Sequence, residues 1–416
     1  MRIAIIGSGI SGMVAAYLLH RDHEITVFEA NDYPGGHTHT VDVTLDDTTL
    51  PVDTGFIVFN ERTYPHFVRL LRMLQVPWQS SNMSFSVHCD RTGLEYCPSS
   101  LGQFFAQRRN LLRPGFWRML YEIFIFRRHL LETASLPESV TLGQHLGERG
   151  YSRAFREHFI VPMGAAIWSS EPGRFEAMPA CMFARFFANH GFLNVRDQPQ
   201  WLVIKGGSRE YAKALTAPFR DRIRLNCPVH AVRRLPDGVE IESANAANER
   251  FGHAIVAVHS DQALRLLSDP TDREREILGA IGYLDNQVVL HTDTSALPQR
   301  RTVWASWNYC IPREPQASVA VTYNMNMLQA LKSDRVFCVT LNAPQRIDPD
   351  QVVQRMVYAH PVYTPRALAA QRRQGEISGA NRTHYCGAYW GNGFHEDGVN
   401  SALAVCRYFG RDLSDA

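Results

Sequence analysis

Lysine is almost absent from this sequence. Of 43 basic residues only Lys205, Lys213 and Lys332 are lysine, so 43 minus 3 leaves 40 arginines. Neither sign of charge dominates. Lys and Arg number 43 against 41 Asp and Glu, a formal net charge of +2, so no global basic field points to nucleic acid and no such partner is expected. The eight cysteines include no C-x-x-C pair and no His-rich spacing, which argues against a zinc site or a redox dithiol, so no bound metal is expected. A reducing, cytoplasmic location fits that cysteine usage. No run approaches roughly 18 consecutive apolar residues, which excludes an ordinary transmembrane helix and leaves peripheral membrane contact as the remaining route to a bilayer. The first residues pass at once into a strand pattern, with no n-region or cleavage site of a signal peptide. What is present is ordinary globular composition, 45% hydrophobic and 20% charged over 416 residues, enough for about two to three domains.

Residues 3–6 form a short apolar run read as a buried parallel strand. Gly7-Ser8-Gly9-Ile10-Ser11-Gly12 follows directly, then a helical pattern to about His20, then a second strand, Glu24 to Phe28, ending at Glu29 and Ala30. A lone G-x-G-x-x-G is weak. Here the strand precedes it, the helix follows it and an acid stands 20 positions beyond Gly9. Gly7 permits the tight turn, Gly9 lets a pyrophosphate approach the backbone N–H groups at the helix start, and Gly12 allows close helix–strand packing. Glu29 is suited to accept from a ribose 2′-OH and would repel a 2′-phosphate. A glycine turn without ligand is the competing reading.

NAD and FAD share this fingerprint. The pair Gly35-Gly36, followed by His37-Thr38-His39-Thr40 and the strand-like Pro51-Val52-Asp53-Thr54-Gly55-Phe56, is similar to the second phosphate-contacting loop of two-domain FAD oxidases, and favours FAD. Those enzymes usually carry Arg or Lys after the pair. His37 stands there instead and is assigned, with Arg209 as a helper, to the pyrophosphate or the flavin edge; loop histidines bonded to backbone are the alternative for His37 and His39. Near the end, Gly387-Ala388-Tyr389-Trp390-Gly391 and Gly393 to Ala402 suggest a second helix N-terminus, whose free N–H groups suit the flavin edge that gains negative charge. Related enzymes often have an acid after the first of these glycines. This chain has Ala388, so Glu396 or Asp397 is the expected substitute, with Val399 beside them.

Between these ends the pattern interleaves. Lys205-Gly206-Gly207-Ser208-Arg209 enters a helix, Cys227 to Val232 with Gly238 to Ile241 reads as a hairpin, and Phe251 to Val258 as a buried strand; residues 60–200 are mostly helical in pattern and 280–345 strand-rich, including Ser318 to Thr322. This ordering resembles the flavin amine oxidase, phytoene desaturase and protoporphyrinogen oxidase superfamily over essentially the whole chain. Ile167-Trp168-Ser169-Ser170, Asn189-His190-Gly191, Trp304 to Tyr309 and Gly393-Phe394-His395-Glu396-Asp397-Gly398 look, more narrowly, like bacterial NAD/FAD-binding proteins associated with cyclopropane- and methyl-branched fatty-acid metabolism, among them a flavin desaturase. The resemblance implies an α/β, two-domain flavoprotein: a Rossmann-like FAD-binding domain (1–59, 203–268 and 376–416) interleaved with an α+β substrate domain (60–202 and 269–375). It also implies that Val229 gives main-chain contacts to adenine.

Flavin amine oxidases commonly hold a Lys at flavin N5 on a substrate-domain strand. The sequence offers no lysine between Lys213 and Lys332, which weakens the amine-oxidase reading. Desaturating an acyl chain needs a dry apolar channel and at most one base. His190 and His395 are the candidates, each competing with a structural role, and Tyr389 and Trp390 are candidates for the flavin face or for domain packing. The expected activity is dehydrogenation of an unsaturated or methyl-branched fatty-acyl chain, the alternatives being amine oxidation and redox-neutral double-bond isomerisation. Residues 104–130 carry seven aromatics and six arginines against the single acid Glu122. That pattern fits either contact with an anionic membrane or a substrate-domain helix with solvated arginines.

Overall fold

The structure is a computed structural model that describes residues 1–45, 48–168, 172–191, 198–244, 247–314 and 319–415. Ser169, Ser170 and Ser318 of the sequence reading lie outside the described residues.

A five-stranded parallel sheet runs in the order Ile223–Arg224, Glu24–Phe28, Arg2–Ile6, His253–Val256, Thr383–Tyr385. The apolar run of residues 3–6 is there because both faces of the strand are covered. Ile3 and Ile5 pack with Val14, Ala16, Val399 and Ala402 of the helices Ile10–Leu19 and His395–Tyr408 on one face. Ala4 and Ile6 pack on the other face with Val232, Ile241 and Phe251 of an antiparallel sheet formed by Val229–Leu235, Gly238–Ser243 and Glu249–Phe251. Successive side chains thus serve opposite layers.

The second body is a seven-stranded sheet ordered Val352–Val362, Gly282–His291, Cys338–Leu341, Ala320–Asn324, Trp307–Ile311, Phe85–Cys89, Leu94–Tyr96. Its core is continuous with helices from the 101–190 region, through Phe126, Phe155, Phe183 and Phe187 against Val288, Val321 and Leu341. All parallel-sheet strands fall within 1–59, 203–268 and 376–416, and all strands of the large sheet within 60–202 and 269–375.

Two differences from the sequence reading have clear causes. Residues 60–200 supply strands as well as helices, because Phe85–Cys89 pairs in parallel with Trp307–Ile311, a partner more than 200 positions away that no local pattern reveals. A boundary at 59/60 also cuts one core: Phe67, Leu70 and Leu71 of the helix Pro65–Met73 pack with Ile3, Val14 and Leu403.

The 104–130 segment divides by face. In the helix Pro114–Arg128, Phe116, Met119, Glu122 and Phe126 are buried, whereas Trp117, Tyr121 and Phe124 are 48%, 64% and 49% exposed. Glu122 is held by Arg118 at 3.0 Å and by the Ser152 N–H at 3.0 Å. Among the described residues no helix is long and apolar enough to cross a membrane.

Candidate functional site

A cavity of about 850 Å³ begins at the carboxyl ends of the parallel strands and reaches into the helical layer, where ligands bind in open α/β sheets. Gly7 sits at φ +96°, and a Cβ there would come within 2.8 Å of the Ala257 carbonyl oxygen. A Cβ on Gly12 would stand 2.0 Å from the Gly7 carbonyl oxygen, so helix and strand meet as closely as expected, while Gly9 has nothing within 4 Å and faces the cavity. Gly35 and Gly36 close over it, with Gly36 at φ +59°. Glu29 Oε2 accepts from the Ser8 N–H at 2.9 Å and Ser8 Oγ at 2.5 Å, and Oε1 from the Asn31 N–H at 2.9 Å. These bonds fix the carboxylate at the end of its strand. Ile10, Ser11, Ala30, His37, Thr54, Gly55, Phe56 and Val229 line the same cavity, with Gly387, Ala388 and Tyr389.

His37 is not alone. Its ring lies parallel to those of His259 at 5.8 Å and His360 at 5.5 Å, and His259 stacks on Tyr283 at 4.4 Å. Burial, then the neighbouring histidines, push the His37 pKa well below its usual value; burial pushes His360 down to about 4. Asn286 Nδ2 lies 2.9 Å from His360 Nδ1 and donates to it. Sequence reasoning missed His259, His360 and Tyr358, which lines the same wall and whose Oη lies 2.8 Å from both His39 Nδ1 and Thr54 Oγ1. His259 had a signal available, standing just past the carboxyl end of the strand His253–Val256; His360, within a long strand of the other domain, had none.

The deeper arm is apolar, walled by Val58, Met83, Ile167, Val288, Trp307 and Leu341 among others. His190 faces it. Its Nδ1 lies 3.0 Å from the Phe186 carbonyl oxygen and donates there, which makes Nε2 the lone-pair nitrogen. Burial holds its pKa down to about 4. His395 also lines the cavity, but its ring lies 3.5 Å from that of Phe56, and Nε2 is engaged by Tyr211 Oη at 2.8 Å and Thr38 Oγ1 at 3.1 Å. That nitrogen fastens the start of the last helix to the 36–39 loop, so the structure gives His395 a positioning role.

Several residues expected at the cofactor are elsewhere. Arg209 forms a two-pronged ion pair with Asp42, 2.6 Å on each arm, because the hairpin of Thr40–Leu45 and Thr48–Asp53 places that acid in reach. Asp53 is fully buried and accepts from the Ser208 N–H at 2.8 Å, Thr40 Oγ1 at 2.6 Å and Gln329 Nε2 at 3.0 Å; burial pushes its pKa up to about 6. Thr38 is buried behind the wall with Tyr211 and His395. Glu396 turns away to cap the helix Pro65–Met73, accepting from the His66 N–H at 3.1 Å and the Phe67 N–H at 2.9 Å. Asp397 caps its own helix through the Phe394 N–H at 3.0 Å, and burial pushes its pKa up to about 6. Val399 is core, with no exposure. Trp390 packs against Tyr389 at 4.9 Å without lining the cavity. All three lysines are exposed, and none lines the cavity.

The sequence model for flavin-containing amine oxidoreductases matches residues 10–308. The chain belongs to that family. It has the two-domain α/β architecture of amine-oxidase-like flavoproteins. A protein of Mycobacterium tuberculosis (strain ATCC 25618 / H37Rv) named as a flavin-containing monoamine oxidase is 25% identical over 283 residues, which span 64% of this chain and 59% of that protein. The fold is shared with the CLA-producing fatty acid isomerase from P. acnes, at a TM-score of 0.71, 16% identity and 98% coverage of both chains. Cyclohexylamine oxidase from Brevibacterium oxydans IH-35A matches at a TM-score of 0.69, with 16% identity and 99% of both chains covered.

The residues present fit FAD. Gly9 leaves open space where backbone meets phosphate, Glu29 retains lone pairs for ribose hydroxyls, and the first turn of His395–Tyr408 reaches the same cavity through Phe394 and His395. No disulfide occurs among the described cysteines, all eight of which are buried.

Proposed function

We propose that this family member dehydrogenates an apolar, acyl-type chain, an unsaturated or methyl-branched fatty-acyl substrate. The observation that carries the reading is the character of the cavity. Among the described residues, its charged lining residues are Glu29, Arg265 and Asp285. Glu29 belongs to the glycine-rich end, and Asp285 pairs with Ala359 beside the histidine stack, so the deeper arm is walled by hydrocarbon and aromatic side chains.

FAD, when bound, would supply a two-electron acceptor, and Gly9, Gly36, Glu29, Val229 and the first turn of the last helix would hold it. The remaining work falls to the protein. Met83, Val288 and Leu341 exclude water and align a chain by apolar contact, each buried methylene favouring the cavity by about 0.8 kcal/mol. Removing hydrogen from adjacent carbons releases one proton. His190 is assigned to accept it at Nε2, since burial keeps the ring neutral at physiological pH. Tyr389 borders the reacting region at the glycine turn of Gly387.

Amine oxidation is the second reading. It is supported by the monoamine-oxidase relative and by the phenols of Tyr358, Tyr363 and Tyr389 on the wall; the lack of any lysine there weighs against it. Anaerobic mixing of the purified holoenzyme with lipid and amine panels separates the readings. Flavin bleaching near about 450 nm by an acyl lipid, with a product two hydrogens lighter, supports desaturation. Bleaching by amines alone replaces it with amine oxidation, and a moved double bond at unchanged mass replaces it with isomerisation.

A further inference from the structure

Among the described residues, a second cleft, also of about 850 Å³, shares no lining residue with the cofactor cavity. We propose that this cleft, walled by Arg108, Arg109, Arg300, Arg313, Arg346 and His88, binds the phosphate group of a phosphoester. Distant parts of the chain build it. The turn Arg108–Leu112 brings two arginines, the strand Phe85–Cys89 brings His88, and the loops around residues 300, 313 and 346 bring the rest.

The charges are unbalanced. Among the described residues five guanidinium groups face two acids, Asp90 and Glu95, and both acids are already committed. Asp90 pairs closely with Arg346. Glu95 accepts from the Gln299 N–H at 2.7 Å and the Arg300 N–H at 3.3 Å, with the Arg300 side chain 3.8 Å away. Arg109 donates to the Gly93 carbonyl oxygen at 2.9 Å. Arg108 and Arg313 have no acidic partner among the described residues. Like charges gathered in one cleft repel, and a multivalent anion relieves that repulsion.

His88 supplies an independent sign. It is only 6% exposed, lines the cleft, and neither ring nitrogen has a hydrogen-bond partner among the described residues. A buried polar group left unpaired is costly, so an absent ligand is the natural partner. Burial first, and Arg346 second, lower its pKa to about 4, so the neutral ring has one N–H to donate.

A cation is the obvious rival, because ligand atoms of His88, Asp90 and Cys310 lie within 4.8 Å of one another. The Arg346 guanidinium, however, already donates to Asp90 and stands 2.9 Å from Cys310 Sγ, occupying the space a metal would need. Burial also pushes the Cys310 thiol up to about 12, keeping it protonated. Several planar forks converging from different loops suit the oxygens of a phosphate group.

That chemistry is shared by soluble phosphoesters and phospholipid headgroups. The surroundings favour the headgroup: Arg108 and Arg109 share one turn with Leu111 and Leu112, 42% and 88% exposed, and that turn leads into the helix that exposes Trp117, Tyr121 and Phe124. The inference stands apart from the acyl reading of the main cavity.

The test uses the holoenzyme and the double variant Arg108→Ala/Arg313→Ala, both side chains being exposed. Glycerol 3-phosphate is titrated calorimetrically at constant ionic strength, with chloride as control, and flotation is measured with phosphatidylglycerol and phosphatidylcholine vesicles. Saturable binding of glycerol 3-phosphate, weakened at least tenfold in the variant at unchanged flavin absorbance, is expected. Flotation with phosphatidylglycerol alone, competed by glycerol 3-phosphate, identifies the lipid source; binding without flotation identifies a soluble one. Binding no stronger than chloride, equal binding by the variant, or stoichiometric zinc uptake that His88→Ala abolishes would overturn the proposal.

Discussion

A Cβ added to Gly36 would stand 3.3 Å from the Cα of Gly9. The two glycine loops therefore touch backbone to backbone and form one cradle, though each belongs to a separate turn of the chain. Gly9→Asp places a carboxylate in the open space of that cradle, where pyrophosphate approaches. The expected result is loss of bound FAD, read as the ratio of flavin to protein absorbance, with far-ultraviolet circular dichroism unchanged. Retained flavin would remove the pyrophosphate from this position.

Glu396→Ala separates a capping role from a cofactor role. The carboxylate satisfies two backbone N–H groups at the start of Pro65–Met73, so its removal should destabilise the protein by about 2 kcal/mol. Flavin occupancy at 20 °C, on the order of room temperature, should not change. A fall in occupancy with stability intact would return Glu396 to the cofactor.

Met83→Glu places a charge in the apolar arm without touching either glycine loop. A charge there costs several kcal/mol to desolvate, so the rate of flavin reduction by acyl lipids should fall at least about a hundredfold, since every 1.36 kcal/mol is tenfold in rate. Stopped-flow reduction measures it, and an unchanged rate would place the substrate elsewhere.

Acid should destabilise the fold through its buried histidines. Burial holds His190, His360 and His384 at about 4 and His395 at about 3, below the 6.5 of the unfolded chain. Between those values the unfolded state binds more protons, so stability declines as pH drops from 6.5 toward 4. Asp53 and Asp397, raised to about 6 from 3.8, act in the opposite sense, gaining protons in the folded state over the same range. The histidines outnumber them. Calorimetric Tm should fall between pH 6.5 and 4, and a flat profile would mean that these rings are solvated.

The cofactor half of the site was legible wherever function resides in local backbone chemistry. Gly7, Gly9, Gly12 and Glu29 form a contiguous strand–turn–helix–strand unit, and its geometry follows from the spacing of those residues. Legibility failed where identity alone had to decide between partners. Glu396 and Asp397 have the acidity a cofactor contact needs, yet helix ends compete for the same carboxylates, and that competition is invisible until Pro65–Met73 is placed. Arg209 likewise went to Asp42, an acid whose proximity depends on a hairpin. His360 entered the cavity from a strand in the other domain, so its contact with His37 is a property of the tertiary fold.

The parallel sheet also imposes an order of assembly. Arg2–Ile6 pairs with Glu24–Phe28 on one side and with His253–Val256 on the other, which in turn pairs with Thr383–Tyr385. Native pairings with such long sequence separation form slowly, because the intervening chain must be closed into loops first. The strand before Gly7 gains Glu24–Phe28 as a neighbour locally, but its other edge waits for a partner that lies far along the chain. Because Ala257 packs on Gly7 and Phe394 and His395 line the same cavity, the cradle is complete only when segments from three distant parts of the chain have come together.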